Sequence, residues 1–237
     1  MKQIFIKEKL KELGIDVEDI VLGDFDQIGE YTAKKSRSTD SIFYRKAGFF
    51  FRPNYERGIL MYYLTGKMEF TSVLEIGFGR GYSSFCMAKA MCDNNIDGKI
   101  TTVDPNFDKD FLNHLTQIFP KKWFDKIEFV QATSDVYFAE NPDKKFDFIY
   151  IDGDHTHQAV KNDWENTKGK FNKALLFDDY HLPGKDSGPG IQCAKVIDEI
   201  EDDSKELIIM DRRIFADDKR LNDNEIDYGQ VLLTVSV

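Results

Sequence analysis

From Ser72 onward the chain alternates short apolar runs with amphipathic, helix-patterned ones, and this rhythm limits the fold more than any other feature. The apolar runs are "SVLEIG", "KITTVDP", "IEFVQAT", "FDFIYID", "ALLFDDY", "ELIIMD" and "QVLLTVSV". Helical patterns such as "YSSFCMAKAMCDN" and "KDFLNHLTQIF" separate the early ones. Strands joined by crossover helices make a parallel sheet covered on both faces. The last two runs have no crossover helix pattern between them, which suits an antiparallel closing strand. The expectation is an α/β, Rossmann-like, doubly wound sheet of seven strands, mostly parallel, over residues 71–237. At 237 residues the chain is long enough to bury a full core.

Residues 1–70 stand outside this rhythm and read as an N-terminal helical and aromatic extension. "MKQIFIKEKLKEL" reads as a charged amphipathic helix, with Ile6, Leu10 and Leu13 at helical spacing and Gly14 as its stop. "YERGILMYYL" is a second helical pattern. Between them, "FYRKAGFFFRPNYERG" interleaves Tyr44, Arg45, Phe50 and Arg52, and reads as a cover over a small molecule or a homo-oligomer contact. A formal charge of −10 argues against a broad nucleic-acid footprint. A local basic patch is still available in Lys34, Lys35, Arg37, Arg45 and Arg52. Cys86, Cys92 and Cys193 form neither a disulfide framework nor a metal-spaced set. With no stretch read as a signal peptide and none near the ~18 apolar residues of a membrane span, the expected location is cytoplasmic, away from membranes.

Chemistry concentrates at two places. "VLEIGFGRGYSS" sets Gly77, Gly79 and Gly81 between the first apolar run and its helix, where glycines allow a tight turn and close approach of a ligand. A dinucleotide fingerprint G-x-G-x-x-G would need glycine at Tyr82, and so fails. The spacing is instead E-x-G-x-G-x-G, with Glu75 ahead of the loop, a position better suited to a cationic ligand than to a pyrophosphate. On these residues the chain resembles the class I S-adenosylmethionine-dependent methyltransferases. The resemblance implies that the glycine loop passes beneath the methionine and ribose of the cofactor, with Glu75 near the ammonium. It implies that Asp104, in "TTVDP", accepts from the ribose hydroxyls, and that Thr133 and Ser134, in "VQATSDVYF", lie by the adenine. Gln131 stands where the family has glycine.

The second place is "FDFIYIDGDHTHQAV" with "ALLFDDYH" on the next strand. Ligands of doubly wound sheets sit outside the carboxyl ends of the strands, where Asp152, Asp178 and Asp179 fall. Adjacent strands are roughly 4.8 Å apart, so these carboxylates can converge, and they repel one another unless a cation sits among them. Hard oxygen ligands suit Mg²⁺ or another hard divalent cation. Taken singly, Asp154 reads as a helix cap and Asp178–Asp179 as a turn.

Together these segments resemble the metal-dependent O-methyltransferases of small molecules, particularly the branch that modifies antibiotic sugars and related metabolites. That resemblance implies Asp152, Asp178 and Asp179 as metal ligands, Asp152 also beside the cofactor, and His155 as the base. His157 and His181 are reserve bases, and His114 reads as packing or surface. The implied reaction moves a methyl group from S-adenosylmethionine to a hydroxyl of a small acceptor such as a sugar, phenol or natural-product alcohol. Two rivals stay open: methylation of a nucleic-acid or protein nitrogen, and a non-catalytic cofactor-binding protein of the same fold.

Overall fold

A computed structural model describes residues 1–23, 55–107, 109–185, 190–215 and 228–235, with Phe25, Ile28 and Ile226. The run from Lys34 to Arg52, which holds the basic patch and most of the aromatic cover, lies outside the described residues. The strands are β1 (Lys2–Phe5), β2 (Ser72–Ile76), β3 (Lys99–Val103), β4 (Ile127–Val130), β5 (Phe146–Ile151), β6 (Phe171–His181), β7 (Glu206–Ile209) and β8 (Tyr228–Thr234). The α-helices that frame them are α1 (Ile6–Glu12), α2 (Tyr55–Lys67), α3 (Tyr82–Asp93), α4 (Lys109–Ile118), α5 (Lys121–Phe124), α6 (Ser134–Glu140), α7 (His157–Thr167) and α8 (Cys193–Glu199).

The strands form one sheet in the order β1-β7-β8-β6-β5-β2-β3-β4. The β2, β3, β4, β5 and β6 pairings are parallel. β8 is antiparallel to both β6 and β7, so the closing strand is threaded between them. Alternate residues of the central strands feed opposite cores, as the two-residue period of a strand requires. Phe148 and Tyr150 join one core with Leu60, Phe85 and Leu176. Ile149 and Ile151 join the other with Leu74, Val160 and Leu175. Burial on both faces is why these segments read as nearly unbroken apolar runs.

The mostly parallel α/β sheet is as expected, but among the described residues it has eight strands where seven were expected. The extra strand comes from the start of the chain. The helical pattern extends on sequence through Lys2–Phe5, yet these residues pair in parallel with Glu206–Ile209. β7 would otherwise leave a row of backbone donors and acceptors unpaired at the sheet edge. Lys2 and Lys9 both reach the Glu206 carboxylate, at 2.6 and 2.5 Å, and fix the register. The helical period holds from Ile6, with Ile6 and Leu10 fully buried, and Gly14 ends the turn at φ +77°.

Two features place the site. The chain steps from β2 through β3 to β4, then returns to β5 on the other side of β2, leaving a crevice at the carboxyl ends of β2 and β5. α2 also packs tightly on α3 there: a Cβ on Gly58 would lie 2.4 Å from the Tyr82 hydroxyl oxygen. No helix of the described residues is long and apolar enough to cross a membrane.

Candidate active site

The loop after β2 is built on glycines for three different reasons. Gly77 has φ +92°, and a Cβ there would lie 2.0 Å from the Asp152 carbonyl oxygen, so only glycine lets β2 and β5 end this close together. Its N–H donates to Val103 O at 2.9 Å, and Asp152 N donates to Ile76 O at 2.9 Å, tying three strand ends to one another. Gly81, at φ +80°, leads into α3 with no room for a Cβ against the Phe78 ring. Gly79, at φ +52°, has nothing within 4 Å of its Cβ position, so the loop tip borders open space.

Asp104, at the end of β3, holds this loop in place. Its Oδ2 accepts from Phe78 N at 3.0 Å and Gly79 N at 3.2 Å, and its Oδ1 accepts from Asn106 N at 2.7 Å. A carboxylate has about four lone-pair sites, so acceptor capacity remains for a ligand hydroxyl. Gln131 donates to Pro105 O at 3.2 Å, stitching the β4 end to the same turn. Thr133 is exposed and caps α6, accepting from Val136 N. Ser134 turns inward and donates to Asp163 at 2.5 Å.

Glu75 does not reach the open side of the loop. It is fully buried, and the hydroxyls of Ser83 and Ser84, in the first turn of α3, donate to its two oxygens. Burial lifts its carboxyl from 4.5 to about 7, against the opposing pull of those hydroxyls. A raised carboxyl pKa contributes stability that is present at low pH and lost as pH rises through the folded-state value. Glu75→Gln should therefore gain on the wild type between pH 4.5 and about 7, by roughly 3 kcal/mol at the alkaline end. Thermal melts of both proteins at pH 5 and pH 8 measure this, and a pH-independent difference would contradict it.

The acids lie one strand over. Asp179 has φ +51°, a conformation uncommon for a side chain with a Cβ. The β6–β8 register shifts between Phe177 and Tyr180, and this bulge sends the two aspartates different ways. Asp178 points inward: its side chain is 1% exposed, Tyr150 OH donates to its Oδ2 at 2.9 Å, and Gln230 Nε2 donates to its Oδ1 at 2.9 Å. Asp179 faces His155, whose Nε2 is 3.4 Å from Asp179 Oδ2. Asp152, His155 and Asp179 each offer a ligand atom within 4.8 Å of the others. Asp178, placed with the metal ligands on sequence, is not in that trio.

Among the described residues, Arg57, from α2, is the cation set among the three aspartates. Its Nη1 donates to Asp152 Oδ2 at 3.2 Å, and its Nη2 contacts Asp178 Oδ2 and lies 3.7 Å from Asp179 Oδ1. Burial and the Asp178 charge push the Asp152 carboxyl well above the usual range, with Arg57 opposing. Burial and Asp178 also raise Asp179. Sequence reasoning misses Arg57, Tyr150 and Gln230, though each carries a signal. Arg57 interrupts an apolar helix face, and Gln230 is a buried polar residue at the head of an apolar run. Tyr150 brings a hydroxyl into a core strand, where it needs a partner.

The remaining polar groups separate by geometry. Asp154 Oδ1 accepts from Thr156 N at 2.8 Å and so caps the turn ahead of α7. His157 points away, 3.5 Å from Glu199. His181 has a buried Nδ1 with no hydrogen-bond partner among the described residues. His114 is exposed.

Comparison with known proteins bears on the fold that carries this site. Residues 74–180 match the family model described as a methyltransferase domain. The fold matches an O-methyltransferase from Bacillus cereus, in complex with SAH, at TM-score 0.60 and 13% identity, over 98% of this chain and 97% of that one. It matches the O-methyltransferase TomG from Streptomyces achromogenes, involved in tomaymycin synthesis and in complex with SAM, at TM-score 0.56 and 14% identity, over 92% and 100% of the two chains. A putative caffeoyl-CoA O-methyltransferase from Staphylococcus aureus matches at TM-score 0.53 and 18% identity, over 88% and 99%. No curated protein sequence matches significantly. The eight-stranded, mostly parallel sheet of the described residues fits the Rossmann-like fold of these structures.

Proposed function

We propose that the protein transfers a methyl group from S-adenosylmethionine to a hydroxyl of a small molecule, with a divalent cation and a histidine base assisting. The observation that carries this reading is the juxtaposition at one crevice of the glycine loop anchored by Asp104 and the Asp152–His155–Asp179 trio. The open space at Gly79 is what a cofactor lying along the loop would fill. Asp104 keeps acceptor capacity toward ribose hydroxyls, Thr133 and Ser134 border the adenine end, and Asp152 lies between cofactor and acceptor. Glu75 supports the loop from below through Ser83 and Ser84.

S-adenosylmethionine supplies a methyl group on a positively charged sulfur. The C–S bond breaks as the acceptor oxygen forms the new C–O bond, the electron pair stays on sulfur, and the acceptor proton must leave. In-line displacement of this kind depends mainly on positioning. His155, whose Nε2 lies 3.4 Å from Asp179 Oδ2, is the imidazole placed to take that proton. Asp152 and Asp179 would hold a hard divalent cation, whose contribution is to lower the pKa of the acceptor hydroxyl. The trio geometry also favours a second reading, in which His155 is itself a ligand and the base role passes to His181.

Transfer of a labelled methyl group to a panel of sugars, phenols and polyketide-like alcohols tests the reaction. Turnover on a hydroxyl that is abolished by excess EDTA and restored by Mg²⁺ or Mn²⁺ is expected. Full activity in EDTA would remove the cation from the mechanism. Methylation of a nitrogen acceptor alone, or cofactor binding with no turnover on any acceptor, would replace the reading with one of its rivals.

A further inference from the structure

Three carboxylates at adjacent strand ends are the usual argument for a metal held by all three, but here one of them already has its cation. Asp178 is buried, and its two oxygens are taken up by Arg57, Tyr150 and Gln230. Asp152 and Asp179, by contrast, are partly exposed, 17% and 21% at the side chain, and group with His155. We propose that Arg57 is the resident counter-cation of Asp178. Asp178 is then a positioning residue and not a cation ligand, and the cluster offers an incoming ion the carboxylates of Asp152 and Asp179, two negative charges once it has displaced their protons. That charge matches one divalent cation. The guanidinium suits this role because it is planar, stays charged and donates in a fork that can span neighbouring carboxylates. The Gly58–Tyr82 contact explains how it gets there, since close packing of α2 on α3 brings Arg57 over the strand ends.

The inference rests on the reading of Asp152 and Asp179 as cation ligands, and its test separates the two. Mn²⁺ binding is followed by electron paramagnetic resonance, with thermal unfolding in parallel, for wild type, R57Q, D178N and R57Q/D178N. Removing Arg57 alone adds a net negative charge and should tighten Mn²⁺ binding by roughly tenfold. Removing Asp178 alone releases the guanidinium onto Asp152 and Asp179 and should weaken binding by about as much. The double variant should return to within about threefold of wild type. A double variant that binds as weakly as D178N would make Asp178 a ligand and overturn the proposal. If R57Q does not fold because Asp178 is left buried and unpaired, recovery of folding in R57Q/D178N supports the pairing. Wild type that binds no Mn²⁺ would remove the cation reading above. The pairing is then judged from unfolding alone: strongly non-additive losses uphold it, and additive losses overturn it.

Discussion

Gly77→Ala is expected to destabilise the fold by roughly 3 kcal/mol or more and to abolish binding of S-adenosylmethionine. Two independent costs fall on the same atom. The backbone sits at φ +92°, where a Cβ is strained, and that Cβ would lie 2.0 Å from the Asp152 carbonyl oxygen. The obstruction is backbone on both sides, so no rotamer change relieves it. β2 and β5 would have to separate at the crevice proposed for the cofactor. Gly79→Ala is the control. It also has positive φ, +52°, but nothing within 4 Å, so its stability cost should stay near ~1 kcal/mol. Denaturant unfolding and cofactor titration of both variants measure the difference. Equal stabilities would mean that the loop does not approach Asp152 as described.

His155→Ala should lower turnover by about 10²- to 10⁴-fold while leaving cofactor affinity nearly unchanged. The imidazole lies at the acids and not at the glycine loop: its Nε2 is 3.4 Å from Asp179 and its Nδ1 is 3.8 Å from Cys193 Sγ. His157→Ala should be close to neutral, since that ring turns to Glu199 on α8. Metal affinity decides between the two roles of His155. A base can be lost without weakening Mn²⁺ binding, whereas a ligand cannot. Turnover unimpaired in His155→Ala would move the base to His181.

How much of the fold and site is legible in the sequence depends on the distance over which each residue acts. Strand and helix periods are local, so the α/β alternation from Ser72 onward can be read directly. The glycine spacing is local too, and by itself it separates this loop from a dinucleotide site. Lys2–Phe5 cannot be read as a strand from its own residues, because its partner, Glu206–Ile209, lies at the other end of the chain. Arg57 is hidden for the same reason: it is 95 residues from Asp152. The repulsion among the aspartates follows from their positions at the strand ends, but the identity of the cation does not. The bulge that turns Asp178 inward and Asp179 outward is equally hidden, since both residues are aspartate and only the register of β8 distinguishes them. Glu75 is legible as an acid beside the loop. Its burial against Ser83 and Ser84 follows from the packing of α3, which the motif does not encode.

Calorimetric titration of the purified wild-type protein with S-adenosylhomocysteine, the demethylated product, tests the central claim most directly. Saturable one-to-one binding is expected, lost in Gly77→Ala and retained in His155→Ala. No binding of the product or of S-adenosylmethionine, with tight binding of NAD in its place, would contradict the assignment of the crevice.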